Sequence, residues 1–173
     1  SDSTEEFKQK YDFFPGSFWA GEQNLQQRGL DNGQVRLERI NLLDQSGVNV
    51  INLISPSVLY FPAFNPGYKL TIGRGVYIGE HVGIAHHITI GDYCYIDNLS
   101  AVHSDVQLGR NVLVGIRSTL AHADIGDNVR VGLNCTVAGG LGNTRTGLTI
   151  GPGSTIWNGS NVMKDVPADS MYV

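Results

Sequence analysis

From Ile72 onward the chain places an aliphatic residue at every sixth position: Ile72, Ile78, Ile84, Ile90, Ile96, Val102, Leu108, Val114 and Leu120. One five-residue step leads to Ile125, after which Val131 and Val137 resume the period. A thirteen-residue step then reaches Ile150, and Ile156 and Val162 finish the series. The residue after the aliphatic is small or acidic at most sites, as at Gly73, Gly79, Ala85, Gly91 and Asp97. Four residues after the aliphatic stands a second compact side chain, such as Val76, Val82, Cys94, Ser100 or Val112. A period of six is not a multiple of 3.6, so an amphipathic helix is excluded. Each hexad instead predicts a short strand and a turn, and three hexads close one triangular coil with the aliphatics inside. Glycine is expected where the chain turns. Counting back from Ile72 through Pro66 and Tyr60 to Ile54 adds a coil. The result is an all-β solenoid of about six coils, roughly 29 Å long at the interstrand spacing.

Residues 1–53 lack this period and read as a short, partly helical segment, leaving 54–173 as the solenoid. Ser3-Thr4-Glu5-Glu6 predicts a cap for a helix over Glu5–Tyr11. A second helix is predicted from Gly33 to Gly47, with Val35, Leu37, Ile40, Leu42 and Leu43 apolar and Gly47 as its stop. Val48–Ser57 reads as a strand entering the first coil. No Gly-rich strand-turn-helix fingerprint occurs, so a dinucleotide fold is not supported. A solenoid interior cannot absorb the thirteen-residue step, so residues 139–147 must leave the coil as a loop, and projecting loops commonly carry function. Gly139, Gly140 and Arg145 in that loop suit an anionic ligand.

Glycine, at 22 of 173 residues, exceeds its ordinary share of about 7% and fits a fold of many tight turns. A net charge of −4 with no basic face argues against nucleic acid or a membrane surface as partner. Neither a long apolar run nor a signal peptide is visible, so a cytoplasmic location is expected. The two cysteines, Cys94 and Cys135, fall at the compact interior position and read as small buried hydrophobes.

The hexads, together with the closing stretch Val162-Met163-Lys164-Asp165-Val166-Pro167-Ala168-Asp169-Ser170, resemble the hexapeptide-repeat acyltransferases, whose solenoid is a left-handed parallel β-helix. Asn52-Leu53-Ile54-Ser55-Pro56-Ser57, preceded by Arg36 and Arg39, more narrowly resembles the nucleotide-sugar N-acetyltransferases of the bacillosamine, perosamine and sialic-acid pathways. The resemblance implies a homotrimer, acetyl-CoA as co-substrate, a sugar acceptor and a His general base on the middle coils. It also implies an N-terminal nucleotide-sugar domain, of which residues 13–53 resemble the tail. The family's aliphatic-x-His-acid motif falls on Val102-His103-Ser104-Asp105, so Ser104 occupies the family's His position and His103 comes one residue early.

All five histidines lie between 81 and 122. His103 breaks the small-residue rule, and Asp105 at i+2 is placed to orient its imidazole. His122 bears the same relation to Asp124, beside the five-residue step. In an 18-residue register His86, Ser104 and His122 fall in one column. His103 ranks first as base, followed by His86 and His122, with Asp105 as orienting acid. A turn N–H is expected to stabilise the oxyanion. Arg145 and Lys164 are candidate CoA phosphate contacts, and no resident metal is expected. A zinc hydratase of the γ-carbonic-anhydrase type, built on His81, His86 and either His103 or His122, is the rival enzyme. A non-catalytic scaffold, docking through Tyr11, Phe13, Phe14, Phe18 and Trp19, is the other alternative.

Overall fold

The computed structural model describes residues 32–61, 68–140 and 147–173. The chain forms two compact units, Ser1–Asn52 and Leu53–Val173. The helix expected over residues 5–11 and the aromatic cluster at 11–19 lie outside the described residues.

In the first unit, α1 spans Asn32–Ser46. It ends where Gly47 turns to φ +67, a left-handed conformation that glycine adopts without a Cβ penalty. Ser46 Oγ donates to the Leu43 carbonyl at 2.8 Å, occupying one acceptor that the helix end leaves open. Ile40 and Arg36 are buried, whereas Leu42 is exposed.

The second unit is a left-handed parallel β-helix with three walls. The first wall stacks β1 (Leu53–Ile54), β4 (Tyr77–Ile78), β7 (Tyr95–Ile96), β10 (Leu113–Val114), β13 (Arg130–Val131), β16 (Thr155–Ile156) and β18 (Met171–Tyr172). The second stacks β2 (Leu59–Tyr60), β5 (Gly83–Ile84), β8 (Ala101–Val102), β11 (Thr119–Ala121), β14 (Thr136–Ala138) and β17 (Asn161–Val162). The third stacks β3 (Leu70–Ile72), β6 (Ile88–Ile90), β9 (Val106–Leu108), β12 (Ala123–Ile125) and β15 (Leu148–Ile150), and Val166 bridges to Ile150 at its end. Each hexad aliphatic from Ile78 to Val162 points inward and is almost fully buried. The compact positions close the core between them: Cys94 and Cys135 are buried free thiols, and Ser100 and Ser118 donate to the carbonyls of Gly115 and Gly132 at 3.0 and 2.8 Å.

Two expectations are corrected here. Ile54 does not lie one coil below Ile72; it pairs with Ile78 in the first wall, and Tyr60 pairs with Ile84 in the second. The chain therefore takes twelve residues rather than six to pass from Tyr60 to Ile72, and Pro62 and Pro66 fall outside the described residues. Nor does the small residue after each aliphatic supply the turn's left-handed backbone. That conformation sits two residues later: His81, His87, Tyr93, Leu99, Asp105, Asn111 and Arg117 all have φ between 54 and 60. The glycine is required instead by stacking. A Cβ on Gly91 would lie 2.4 Å from the Gly109 carbonyl oxygen of the next coil.

Candidate active site on one edge of the solenoid

The edge between the second and third walls differs from the other two. Passing upward, the described residues that form it are 61, 68–69, 85–87, 103–105, the single residue His122, 139–140 with 147, and 163–165. The five-residue step, the long loop and four of the five histidines thus share one edge. The post-aliphatic residues here are Phe61, Ala85, His103, Ala121, Ala138 and Met163, whereas the edge between the third and first walls has glycine at 73, 91, 109, 126 and 151.

The five-residue step decides which side chains stack. His122 has φ 47, the left-handed turn value, although it stands only two residues after Leu120. Its N–H donates to the Ser104 carbonyl at 3.0 Å, as the Asp105 N–H donates to the His86 carbonyl at 3.2 Å. His122 therefore occupies the column of His87 and Asp105. It does not belong to the column of His86 and Ser104, as the plain 18-residue count places it.

In that column one carboxylate bridges two imidazoles. Asp105 Oδ1 lies 3.2 Å from His87 Nδ1, and Oδ2 lies 3.3 Å from His122 Nδ1. All three are a little more than one-third exposed, with side chains at 40%, 45% and 37% for His87, Asp105 and His122. The carboxylate favours the tautomer that carries hydrogen on Nδ1 in each ring, which leaves each Nε2 with a free lone pair. Together with Gln107 and Asp124 from the outer face of the third wall, and Gly147 at the loop's return, they line a cleft of about 290 Å³. Beside them His86 Nδ1 is 3.2 Å from Ser104 Oγ, and the His86 and His87 rings meet edge to face at 4.9 Å.

Not every sequence candidate joins this group. His103 is exposed on the same turn, but Asp105 pairs with His87 and His122. His122 likewise pairs with Asp105 rather than Asp124. Gly139 is held where a Cβ would lie 2.3 Å from the His122 carbonyl oxygen, so packing alone requires a glycine there. Gly140 is exposed with φ 46, and Arg145 lies outside the described residues. Lys164 is exposed on the same edge two coils above His122. His81 sits on a different edge, in the turn between β4 and β5, apart from its proposed zinc partner His86. Among the described residues no three His, Cys, Asp or Glu side chains converge as a metal-binding set. His87 is the residue that sequence reasoning missed. The signal was present: it stands three residues after an aliphatic, as Asp105 does.

Among curated proteins, the chain is 30% identical over 136 residues to the acyl-(acyl-carrier-protein)-UDP-N-acetylglucosamine O-acyltransferase of Anaeromyxobacter dehalogenans, covering 75% of this chain and 50% of that protein. It is 34% identical over 111 residues to the serine acetyltransferase of Synechococcus elongatus, covering 63% and 38%. The chain belongs to the hexapeptide-repeat, left-handed β-helix acyltransferase family. It spans about half the length of the first of these relatives. No family model matches it. In three dimensions it superposes on a variant of GDP-perosamine N-acetyl transferase from Caulobacter crescentus, in complex with CoA and GDP-perosamine. The TM-score is 0.69 at 24% identity, covering 85% of this chain and 68% of that one. WeeI from Acinetobacter baumannii gives a TM-score of 0.70 at 23% identity, covering 80% and 62%. These two likenesses establish the fold.

Proposed function

We propose that the protein is an acetyl-CoA-dependent acyltransferase that acylates an amino sugar or sugar nucleotide, with His122 as general base and Asp105 as the group that orients it. The carrying observation is the Asp105 carboxylate held between His87 Nδ1 and His122 Nδ1 at the mouth of a cleft. With Nδ1–H fixed on the carboxylate, His122 Nε2 takes the proton of the acceptor's amine or hydroxyl as that group attacks the thioester carbonyl. Asp105 stabilises the imidazolium that results. The cleft adds Asp124 and Gln107, one charged and one neutral hydrogen-bonding group, to hold the acceptor. Acetyl-CoA comes to this chain from the CoA complex of the structural neighbour, and Lys164 is assigned to its phosphates. A homotrimer and a cytoplasmic location complete the reading. No helix among the described residues is long and apolar enough to cross a membrane.

The test is thiol release from acetyl-CoA with a panel of amino-sugar nucleotides. His122→Asn is expected to lower kcat/KM by about 10²- to 10⁴-fold, and Asp105→Asn to lower it as well. If His103→Asn loses activity to that extent while His122→Asn retains it, the role of base returns to His103. Light scattering checks the trimer.

A further inference from the structure

We propose that His87 is a positioning residue: its imidazole holds the Asp105 carboxylate in the orientation that presents Oδ2 to His122, so that the base keeps its proton on Nδ1 and its lone pair on Nε2. This rests on the acyltransferase reading above. It gives a role to the histidine of the cleft that the reading leaves unused.

One hydrogen bond does not fix Asp105. Its side chain is 45% exposed, and Oδ2 lies 3.3 Å from His122 Nδ1, longer than the roughly 2.7–2.9 Å of a tight charge-assisted pair. Water competes for both oxygens of a carboxylate so placed, and the torsion that turns it is broad. A donor on Oδ1 removes that freedom. His87 Nδ1, 3.2 Å from Oδ1, is that donor. With each oxygen committed to a ring on a different coil, turning the carboxylate breaks two hydrogen bonds rather than one.

The backbone fixes the three side chains in one column. His87, Asp105 and His122 each stand one residue before a strand of the third wall, and the residues that follow them, Ile88, Val106 and Ala123, are stacked partners in β6, β9 and β12. All three have left-handed φ, at 58, 57 and 47, so the column is built on equivalent backbone geometry. His87 is braced in turn. Its ring meets that of His86 edge to face at 4.9 Å, and Gln107 Nε2 donates to its carbonyl at 3.4 Å. His86 Nδ1 is 3.2 Å from Ser104 Oγ, so the brace closes on the same turn that carries Asp105.

The experiment uses the full chain, acetyl-CoA and the amino-sugar nucleotide that gives the fastest thiol release. His87→Ala is expected to lower kcat about 10- to 100-fold with KM within about twofold of the wild type, the pattern of an interaction felt in the transition state. His87→Asn should recover most of that loss, because its amide N–H stands in for Nδ1–H although it has no basic nitrogen. Nitrogen-15 imidazole spectra at about pH 8.5, where an ordinary imidazole is neutral, supply a reading that a merely structural role would not move. The His122 signals, identified as those lost in His122→Asn, should show the proton on Nδ1 in the wild type and in His87→Asn. In His87→Ala they should divide between the two tautomers, at an unchanged melting temperature. The proposal is overturned if His87→Ala keeps the wild-type kcat, if it raises KM alone, if His87→Asn is as slow as His87→Ala, or if the His122 tautomer is the same in all three. If His122→Asn transfers at the wild-type rate, or no acceptor elicits thiol release, the acyltransferase reading itself fails. The His122 tautomer in His87→Ala then decides by itself whether His87 holds Asp105.

Discussion

Two backbone rules operate at single residues of each hexad, and they are distinct. One concerns crowding: Gly91 has the next coil's carbonyl oxygen 2.4 Å from where a Cβ would stand. Gly91→Ala must push coils apart, and an expected loss of about 1–3 kcal/mol is measurable by thermal or urea unfolding. The other concerns handedness. Leu99 holds φ 60 with a side chain 47% exposed, so it bears the left-handed penalty without repaying it in burial. Leu99→Asn is expected to raise stability by about 0.5–1 kcal/mol, because asparagine tolerates that region. A fall in melting temperature for Leu99→Asn would show that the exposed leucine has a packing role. At His87 and Asp105 the same left-handed position holds two side chains of the proposed site.

At the level of the element, the five-residue step matters more than any one histidine. By omitting one residue between Leu120 and Ala123, it carries His122 into the Asp105 column. Inserting an alanine between Ala121 and His122 restores the regular hexad. The wall pairing of Leu120 with Val102 and of Ala123 with Val106 is expected to survive, since neither strand changes length. The inserted residue would occupy the Ser104 column, and acyl transfer is expected to fall by at least about tenfold through loss of orientation. Circular dichroism and melting temperature report the fold, and thiol release the activity; an insertion mutant with full activity would refute this account of the step. The location of the step was legible in the sequence. Its consequence was not, because the count of residues alone does not say which side of the deletion keeps register. The pairing of His122 with Asp105 followed only once the backbone hydrogen bonds were known.

Across the whole molecule, the core sets the response to alkali. Burial pushes the Cys135 thiol above its ordinary range, against the lowering effect of the backbone around Ser160, Gly159 and Gly132. The unfolded thiol then ionises at lower pH than the folded one, so stability is full below the ordinary thiol range and falls as pH rises through it. Ser118 and Ser160 occupy the same interior position in neighbouring coils, so Cys135→Ser should be accepted by the core. Its melting temperature should decline less than that of the wild type between about pH 7 and about pH 10. Equal declines would assign the alkaline limb to other groups.

The hexad period by itself determined the solenoid, its three walls, its buried aliphatics and its two buried cysteines, because a repeat of short strands buries its apolar face only by stacking on itself. The sequence also marked the breaks at which function was to be sought. Only the tertiary structure decided that the short step, the long loop and the histidine cluster share one edge, and that Ile54 lies under Ile78. Those relations depend on how many residues each coil spends at each corner. That number is set by hydrogen bonding between coils, which no local pattern in the chain records.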